Sequence, residues 1–302
     1  MNNAEKGDTL STASALARFF SSGVLAEFGA TRQPSIATRL FRQLNLSSYF
    51  NPDMLVGDFY NALFSHLVRH YRFEYVYKNA IAEKKFWGCH NLNTAFMLTE
   101  FRVADCKADT VIVNGTSHVY EIKTEMDDFT RLGSQLAAYF KVFDYITLVT
   151  EEKLFSVAEQ YLPGNVGILT LADKRYQFRR QHYYRKPVSN KQNVDPLVLF
   201  DSLTRAEYLQ IIKKELGVCL SKVPNTQIYT EARQLFASLP PVVAHDNMVQ
   251  VLRERSNALS LRSVIDELPT SLQAAAFSLK MNALQKERFI NRLNSPLRTV
   301  LA

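Results

Sequence analysis

The sequence predicts an α/β protein whose central sheet is flanked by helical regions, and three changes of pattern predict it. From Thr9 to about Arg72 the apolar residues recur at helical spacing. Between about Thr94 and His182 they form short β-rich runs, and from Asp195 the helical spacing returns. We therefore expect an N-terminal helical region at 1–72, a core with a mixed sheet at 73–192 and a C-terminal helical region at 193–302.

Composition excludes several classes of protein. The chain has 302 residues, of which 47% are hydrophobic and 22% charged, as in globular proteins. Its three cysteines show no C-x-x-C pairing, which excludes a disulfide scaffold and a zinc knuckle. We find no secretory signal and no apolar run near the roughly 20 residues of a bilayer span, so we expect a cytoplasmic protein with no membrane partner. The net charge of +7 favours a polyanionic partner.

The predicted elements follow from local patterns. The segment after Pro34 places Ile36 and Leu40 on one helix face, and Thr204 with Glu207 has the spacing of a capping box. A helix is predicted within 129–143, between two strands. The β-rich runs are 95–103, 109–113, 118–124, 145–150, 166–171 and 176–181.

A hairpin is predicted at Asn114-Gly115, between the second and third runs. Directly opposed residues on antiparallel strands share a face, so Asp109 can meet Glu121 only if the connection has an odd number of residues. A three-residue connection, 114–116, satisfies this condition. We therefore expect a non-ideal hairpin that brings the two carboxylates together.

The motif Glu121-Ile122-Lys123 presents an acid and an amine on the same face of a strand. Two converging carboxylates repel each other unless a positive charge lies between them, and Mg²⁺ or Mn²⁺ prefers such oxygen ligands. We therefore expect Asp109 and Glu121 to bind a metal. Lys123 would orient the attacking water or stabilise charge in the transition state, and the substrate would be a phosphodiester.

These residues resemble the PD-(D/E)xK nuclease superfamily, with Asp109 as the first acid, Glu121 as the second and Lys123 as the lysine. Ala108 stands where the motif has proline, which removes no metal ligand. The resemblance implies a restriction-endonuclease-like core and a Mg²⁺- or Mn²⁺-dependent nuclease.

The following helix resembles the Q-x-x-x-Y signature of RecB-like members, through Gln135 and Tyr139. Both would support the site, and Arg131, one turn earlier, would contact the nucleic acid backbone. The block also resembles an uncharacterised bacterial family of stand-alone nuclease-like proteins, in which an acid on the preceding strand is typical. Glu100 is its counterpart and a candidate third metal ligand, and Lys107 matches a basic position before the Asp.

A basic segment interleaved with aromatic residues follows the core. This composition suits phosphate contact and base stacking without reading of sequence, and it equally suits a charged strand edge that resists pairing. Its candidate nucleic-acid-binding residues are Lys174, Arg175, Arg179, Arg180, Arg185 and Lys186.

The sequence therefore predicts a metal-dependent nuclease, with DNA favoured over RNA as the predicted substrate, in genome defence or mobile-element processing. One alternative is a catalytically silent nuclease-like module that docks a protein partner through its helical flanks. Burial of Lys123 in a salt bridge would favour that alternative. The other is an RNA endonuclease, which would share the same site.

Overall fold

The computed structural model describes residues 12–90, 92–172, 176–178, 185–258 and 265–301. The chain divides into two compact units. The helical unit comprises 1–88 with 260–302, and the sheet unit comprises 89–259.

The first part of the helical unit consists of α-helices joined by shorter turns. Residues 12–17 are helical and lead into a 3-10 turn at Arg18–Phe20. The helices that follow are α1 (Ser22–Glu27), α2 (Ser35–Gln43), α3 (Val56–His70) and α4 (Glu74–Ile81), and a π-helical segment covers Ala82–Trp87. Aromatic rings fill the centre, where Phe59 of α3 packs edge-on against Phe19 and Phe41.

The sheet has five strands whose spatial order equals their order in the chain. They are β1 (Phe96–Val103), β2 (Cys106–Val113), β3 (Ser117–Lys123), β4 (Tyr145–Glu151) and β5 (Gly167–Leu171). Strands β1, β2 and β3 are antiparallel, whereas β4 and β5 run parallel to β3. Helix α5 (Leu132–Tyr139) connects β3 with β4, and α6 (Phe155–Gln160) connects β4 with β5.

The C-terminal part of the chain adds helices to both units. In the sheet unit they are α7 (Pro196–Asp201), α8 (Arg205–Leu216), α9 (Asn225–Phe236) and α10 (Pro241–Ala258). In the helical unit they are α11 (Ala275–Ser278), α12 (Ala283–Leu293) and α13 (Leu297–Val300). The predicted capping box is present, because the Thr204 backbone N–H donates to Glu207 Oε2 at 2.8 Å at the start of α8.

The predicted fold class is confirmed as α/β, with a mixed sheet and flanking helices. The two units nevertheless cut across the three predicted regions. Residues 73–88 pack with the helical unit, and the C-terminal helices divide between the units at about residue 259. Helical periodicity marks which face of a helix is buried but not which neighbour buries it, so the sequence pattern alone misses this division.

Five of the six predicted β-rich runs are strands. The sixth, 176–181, lies partly outside the described residues. Within its described part, Phe178 forms an isolated bridge with Leu171 of β5.

The hairpin between β2 and β3 has the predicted three-residue connection. Val113 pairs with Ser117, so residues 114–116 form the loop. Gly115 has φ +64°, in the left-handed region that glycine adopts without a Cβ clash, and the Asn114 N–H donates to the Thr116 carbonyl at 2.8 Å. The non-ideal hairpin is therefore confirmed.

No helix in the described part of the chain is both long and apolar enough to cross a membrane.

Candidate functional site

The strand registers align three carboxylate-bearing residues across the sheet. In the β2–β3 ladder Thr110 pairs with Tyr120, so the next position in the same register sets Asp109 opposite Glu121. In the β1–β2 ladder Thr99 pairs with Thr110 and Phe101 with Ala108, which leaves Glu100 opposite Asp109 on the other side. Asp109 therefore occupies the middle of a row of three acids.

The Glu121 carboxylate is buried, with 1% of the residue exposed, and the protein supplies donors to both of its oxygens. Gln135 Nε2 donates to Oε1 at 2.5 Å, and Tyr139 Oη donates to Oε2 at 2.7 Å. Both donors belong to α5, whose residues 135 and 139 lie one turn apart on the same helix face. The Q-x-x-x-Y spacing thus places an amide and a phenol on one carboxylate.

Lys123 contacts both Glu121 and Gln135 in the same cluster. Its Nζ lies 3.2 Å from Glu121 Oε1 and donates to Gln135 Oε1 at 3.0 Å, and its side chain is 9% exposed. The Thr150 hydroxyl on β4 donates to the Lys123 carbonyl at 2.7 Å and so fixes the end of β3. Gln135 consequently bridges the amine and the acid of the predicted motif.

Burial dominates the electrostatics of this cluster. Loss of solvent raises the pKa of Glu121 above its ordinary value, although the Lys123 ammonium and the hydrogen bonds from Tyr139 and Gln135 act in the opposite direction. Burial, reinforced by the charge of Glu121, also raises the pKa of Tyr139. Tyr139 therefore remains a neutral donor, whose hydroxyl also lies 3.0 Å from the Lys107 carbonyl.

The other two acids are held differently. Asp109 Oδ2 accepts a 2.8 Å hydrogen bond from the backbone N–H of Ile122, just where the ladder between β2 and β3 ends. Glu100 has φ +54°, an unusual conformation for a non-glycine residue within a strand. Its exposed carboxylate forms a 2.8 Å ion pair with Lys107 Nζ.

The structure thus brings five predicted site residues into one connected neighbourhood. They are Asp109, Glu121, Lys123, Gln135 and Tyr139. Among the described residues, no group of three or more His, Cys, Asp or Glu side chains is arranged to hold a metal ion.

The candidate nucleic-acid-binding residues are described only in part. Arg131 is exposed immediately before α5, on the side of the helix N-terminus. Arg185 Nε donates to the Val166 carbonyl at 2.7 Å, and its guanidinium also reaches the Pro163 carbonyl, so it fastens a loop to the start of β5. Lys186, the next residue, is exposed. Lys174, Arg175, Arg179 and Arg180 lie outside the described residues.

A second polar network, at the opposite end of β3, has no counterpart in the sequence predictions. Asp144 Oδ2 accepts from the Thr116 hydroxyl at 2.5 Å, and Oδ1 accepts from the Ser189 hydroxyl at 2.5 Å. The backbone N–H groups of Asn190 and Lys191 also donate to Oδ1, at 3.1 and 3.0 Å. Asp144 directly follows the buried Phe143. The sequence therefore indicates that this acid lies next to the core, but it does not indicate which residues bind it.

The same network reaches α10 through a buried histidine. The Asp144 N–H donates to Ser117 Oγ at 3.0 Å, and Ser117 Oγ lies 2.8 Å from His245 Nε2. His245 Nδ1 lies 3.1 Å from Asp246 Oδ1. Ser117 and His245 are both fully buried, so this serine, histidine and aspartate ties the helix to the sheet and is closed to a substrate.

Comparison with known proteins places the chain in a family. The family described as Bacteriophage P4 protein cII matches residues 68–268, two thirds of the chain. The chain belongs to this family. The matched segment contains the whole sheet and all five clustered site residues.

One curated relative and one solved structure are similar to parts of this chain. Protein cII of Enterobacteria phage P4 is 24% identical over 149 residues, which cover 49% of this chain and 54% of that protein. The chain thus matches about half the length of this curated relative. A solved structure, the SPO1766 protein of unknown function from Silicibacter pomeroyi, aligns with 47% of this chain and 92% of its own, at 16% identity and a TM-score of 0.30.

Proposed function

We propose that the protein is a metal-dependent nuclease that hydrolyses phosphodiester bonds, with DNA as its substrate, and that its core is restriction-endonuclease-like. One observation carries the proposal. The residues Asp109, Glu121 and Lys123 lie on two adjacent strands in a register that sets the two acids opposite each other, and α5 adds Gln135 and Tyr139 to the same carboxylate.

The donor set suits Mg²⁺ or Mn²⁺, which prefer carboxylate oxygens and keep several waters. The register of β2 and β3 sets Asp109 opposite Glu121, so the two side chains leave the same face of the sheet. Asp109 and Glu121 would hold the ion, with Glu100 as a third acid in the same row. When bound, the ion would polarise a phosphoryl oxygen and acidify a water molecule.

The side chains around the acids would perform the positioning. Lys123, already within 3.2 Å of Glu121, would place its ammonium beside the phosphate and stabilise the negative charge that develops there. Gln135 holds both the amine and the acid, so it fixes their separation. Tyr139 fixes the second oxygen of Glu121 and orients the carboxylate.

A second function, a catalytically silent module that binds a protein or nucleic acid partner, is favoured by one specific observation. Lys123 is buried in a salt bridge with Glu121, and protein donors already occupy both oxygens of that acid. A metal would have to share these oxygens with the protein donors. In a silent module the cluster would only join α5 to the sheet.

A cleavage assay separates the two functions. The purified chain is incubated with circular and linear duplex DNA, single-stranded DNA and RNA, each with Mg²⁺, Mn²⁺ or EDTA. For a nuclease we expect metal-dependent cleavage, and a loss on the order of a thousandfold in Glu121→Ala and Lys123→Ala. Glu159→Ala and Lys141→Ala, which change exposed residues of the same unit, serve as matched controls.

The outcomes are distinct. Circular dichroism and thermal melting must show that both site variants remain folded. Cleavage that persists in both folded variants would remove Glu121 and Lys123 from the chemistry. If no substrate is cleaved in the presence of metal, the silent module is favoured. Cleavage confined to RNA would identify an RNA endonuclease. The relative from a bacteriophage supports a setting in mobile-element processing.

A further inference from the structure

The positive charge of the chain is concentrated in the helical unit and not around the candidate site. The helical unit carries 16 Lys and Arg against 10 Asp and Glu, whereas the sheet unit carries 20 against 19. Six of the seven net positive charges therefore belong to the helical unit. A charge so unevenly distributed indicates a surface that meets a polyanion.

The longest acid-free stretch of the helical unit lies between Glu27 and Asp53. Between Glu27 and Asp53 the sequence contains Arg32, Arg39 and Arg42 and no Asp or Glu. This stretch includes α2 and lies outside the segment matched by the family. Whatever it binds is therefore not implied by that match.

Helix α2 has two sharply different faces. Ala37, Leu40 and Phe41 are buried, whereas Arg39 and Arg42 are exposed. Neither arginine forms an ion pair with another described residue, so both guanidinium groups are available to an external anion. Gln43 is exposed beside them, and Tyr49, just beyond the helix, is 78% exposed.

The helix is also fixed in place from its N-terminal end. Glu27 of α1 accepts hydrogen bonds from the backbone N–H groups of Ile36 and Ala37, at 2.9 and 3.2 Å. Its other oxygen accepts from the Ser35 hydroxyl at 3.0 Å. This carboxylate caps the free N–H groups at the start of α2.

The turn between α1 and α2 is clamped from α12. Arg292 Nη1 donates to the carbonyls of Glu27 and Phe28 at 2.9 and 3.1 Å, and Nη2 donates to the Arg32 carbonyl at 2.9 Å. The two helices and their turn are thus held as one rigid element. A preorganised element loses little entropy when it binds a partner.

We propose that α2 is a DNA-contacting helix, whose exposed arginines bind the phosphate backbone of duplex DNA. A helix with its side chains is about 10–12 Å wide, which fits the major groove of about 12 Å in B-form DNA. The major groove of duplex RNA is too narrow for it, and the exposed side of α2 offers no apolar stripe to a protein partner. This interaction requires no cleavage and stands whether or not the sheet unit is a nuclease.

Fluorescence anisotropy tests the interaction, using the full chain, a labelled DNA duplex, EDTA to prevent cleavage and a series of salt concentrations. For Arg39→Ala/Arg42→Ala we expect an affinity lower by roughly tenfold at low salt, and a plot of log affinity against log salt that is less steep by about 2. The matched control is Arg18→Ala/Lys280→Ala, which removes two exposed charges from the same unit.

The control must bind as the wild type does, and Glu159→Ala, which changes an exposed residue of the sheet unit, must bind equally well. Equal losses in the two double variants would reduce the effect to net charge and overturn the proposal. Unchanged binding by Arg39→Ala/Arg42→Ala, tighter binding to duplex RNA than to duplex DNA, or no binding by the wild type would overturn it as well. Because both arginines are exposed, melting temperatures should stay unchanged and exclude misfolding as the cause.

Discussion

The two ends of β3 each bury a carboxylate, and the two acids are held in opposite ways. At the end of the strand, Glu121 is bound by an amide, a phenol and the ammonium of Lys123. At its beginning, Asp144 is bound by two hydroxyls and two backbone N–H groups. The Glu121 cluster contains the ammonium of Lys123, whereas the Asp144 cluster contains only neutral donors.

The pKa directions reflect this contrast. Burial raises the pKa of Glu121 above its ordinary value despite its partners. Burial would also raise the pKa of Asp144, but hydrogen bonds from Ser189, Thr116 and Asn190 outweigh it and lower that pKa. Asp144 is therefore a permanent anion that joins three segments of chain. A raised pKa is typical of acids in functional sites, which agrees with the role proposed for Glu121.

Among the tests of this contrast, Asp144→Ala should have the largest effect. Removal of the carboxylate leaves buried donors without an acceptor, so the free energy of unfolding should fall by about 3 kcal/mol. Chemical denaturation measures it, with Asp105→Ala, an exposed acid of the same unit, as the control. A loss no greater than that of the control would contradict a structural role for Asp144.

Tyr139→Phe is the intermediate test, because it removes one donor from Glu121 and keeps the ring in place. If the site cleaves phosphodiesters, the rate should fall by roughly tenfold, about 1.4 kcal/mol in barrier, and the acidic limb of the pH–rate profile should move to higher pH. Steady-state cleavage across pH values checks both effects. An unshifted profile would show that Tyr139 does not support the charge of Glu121.

The smallest effect is expected from the titration of His245. Burial lowers its pKa below the ordinary value, so the unfolded chain takes up a proton before the folded one does as the pH falls. Stability that is present above about pH 6.5 should therefore decline by roughly 1 kcal/mol towards pH 5. His245→Gln keeps a polar atom near Ser117 but does not titrate, and it should lose less stability over that range. Parallel curves from denaturation at each pH would exclude His245 as the source.

The sequence predicts the candidate site better than it predicts the assembly around it. Strand alternation and hairpin length determine where Glu121 and Lys123 point, and helix spacing brings Gln135 and Tyr139 one turn apart. These are local rules, so they can be applied without a structure.

The contacts that escape prediction are distant in the chain. His245 meets Ser117 across 128 residues, and Arg292 reaches Glu27 across 265. No periodicity encodes such pairs, because any buried donor can satisfy any buried acceptor. For the same reason the division into two units, with residues 260–302 joining 1–88, is absent from the local pattern.

The sequential order of the strands has a consequence for folding. Residues 104 and 105 alone separate β1 from β2, and residues 114–116 alone separate β2 from β3, so the first two pairings close very short loops. Short loops lose little chain entropy on closure, and local contacts form quickly. We expect this three-stranded meander to nucleate the sheet. Asp109 and Glu121 would then become neighbours early in folding, before β4, β5 and α10 dock and bury Ser117.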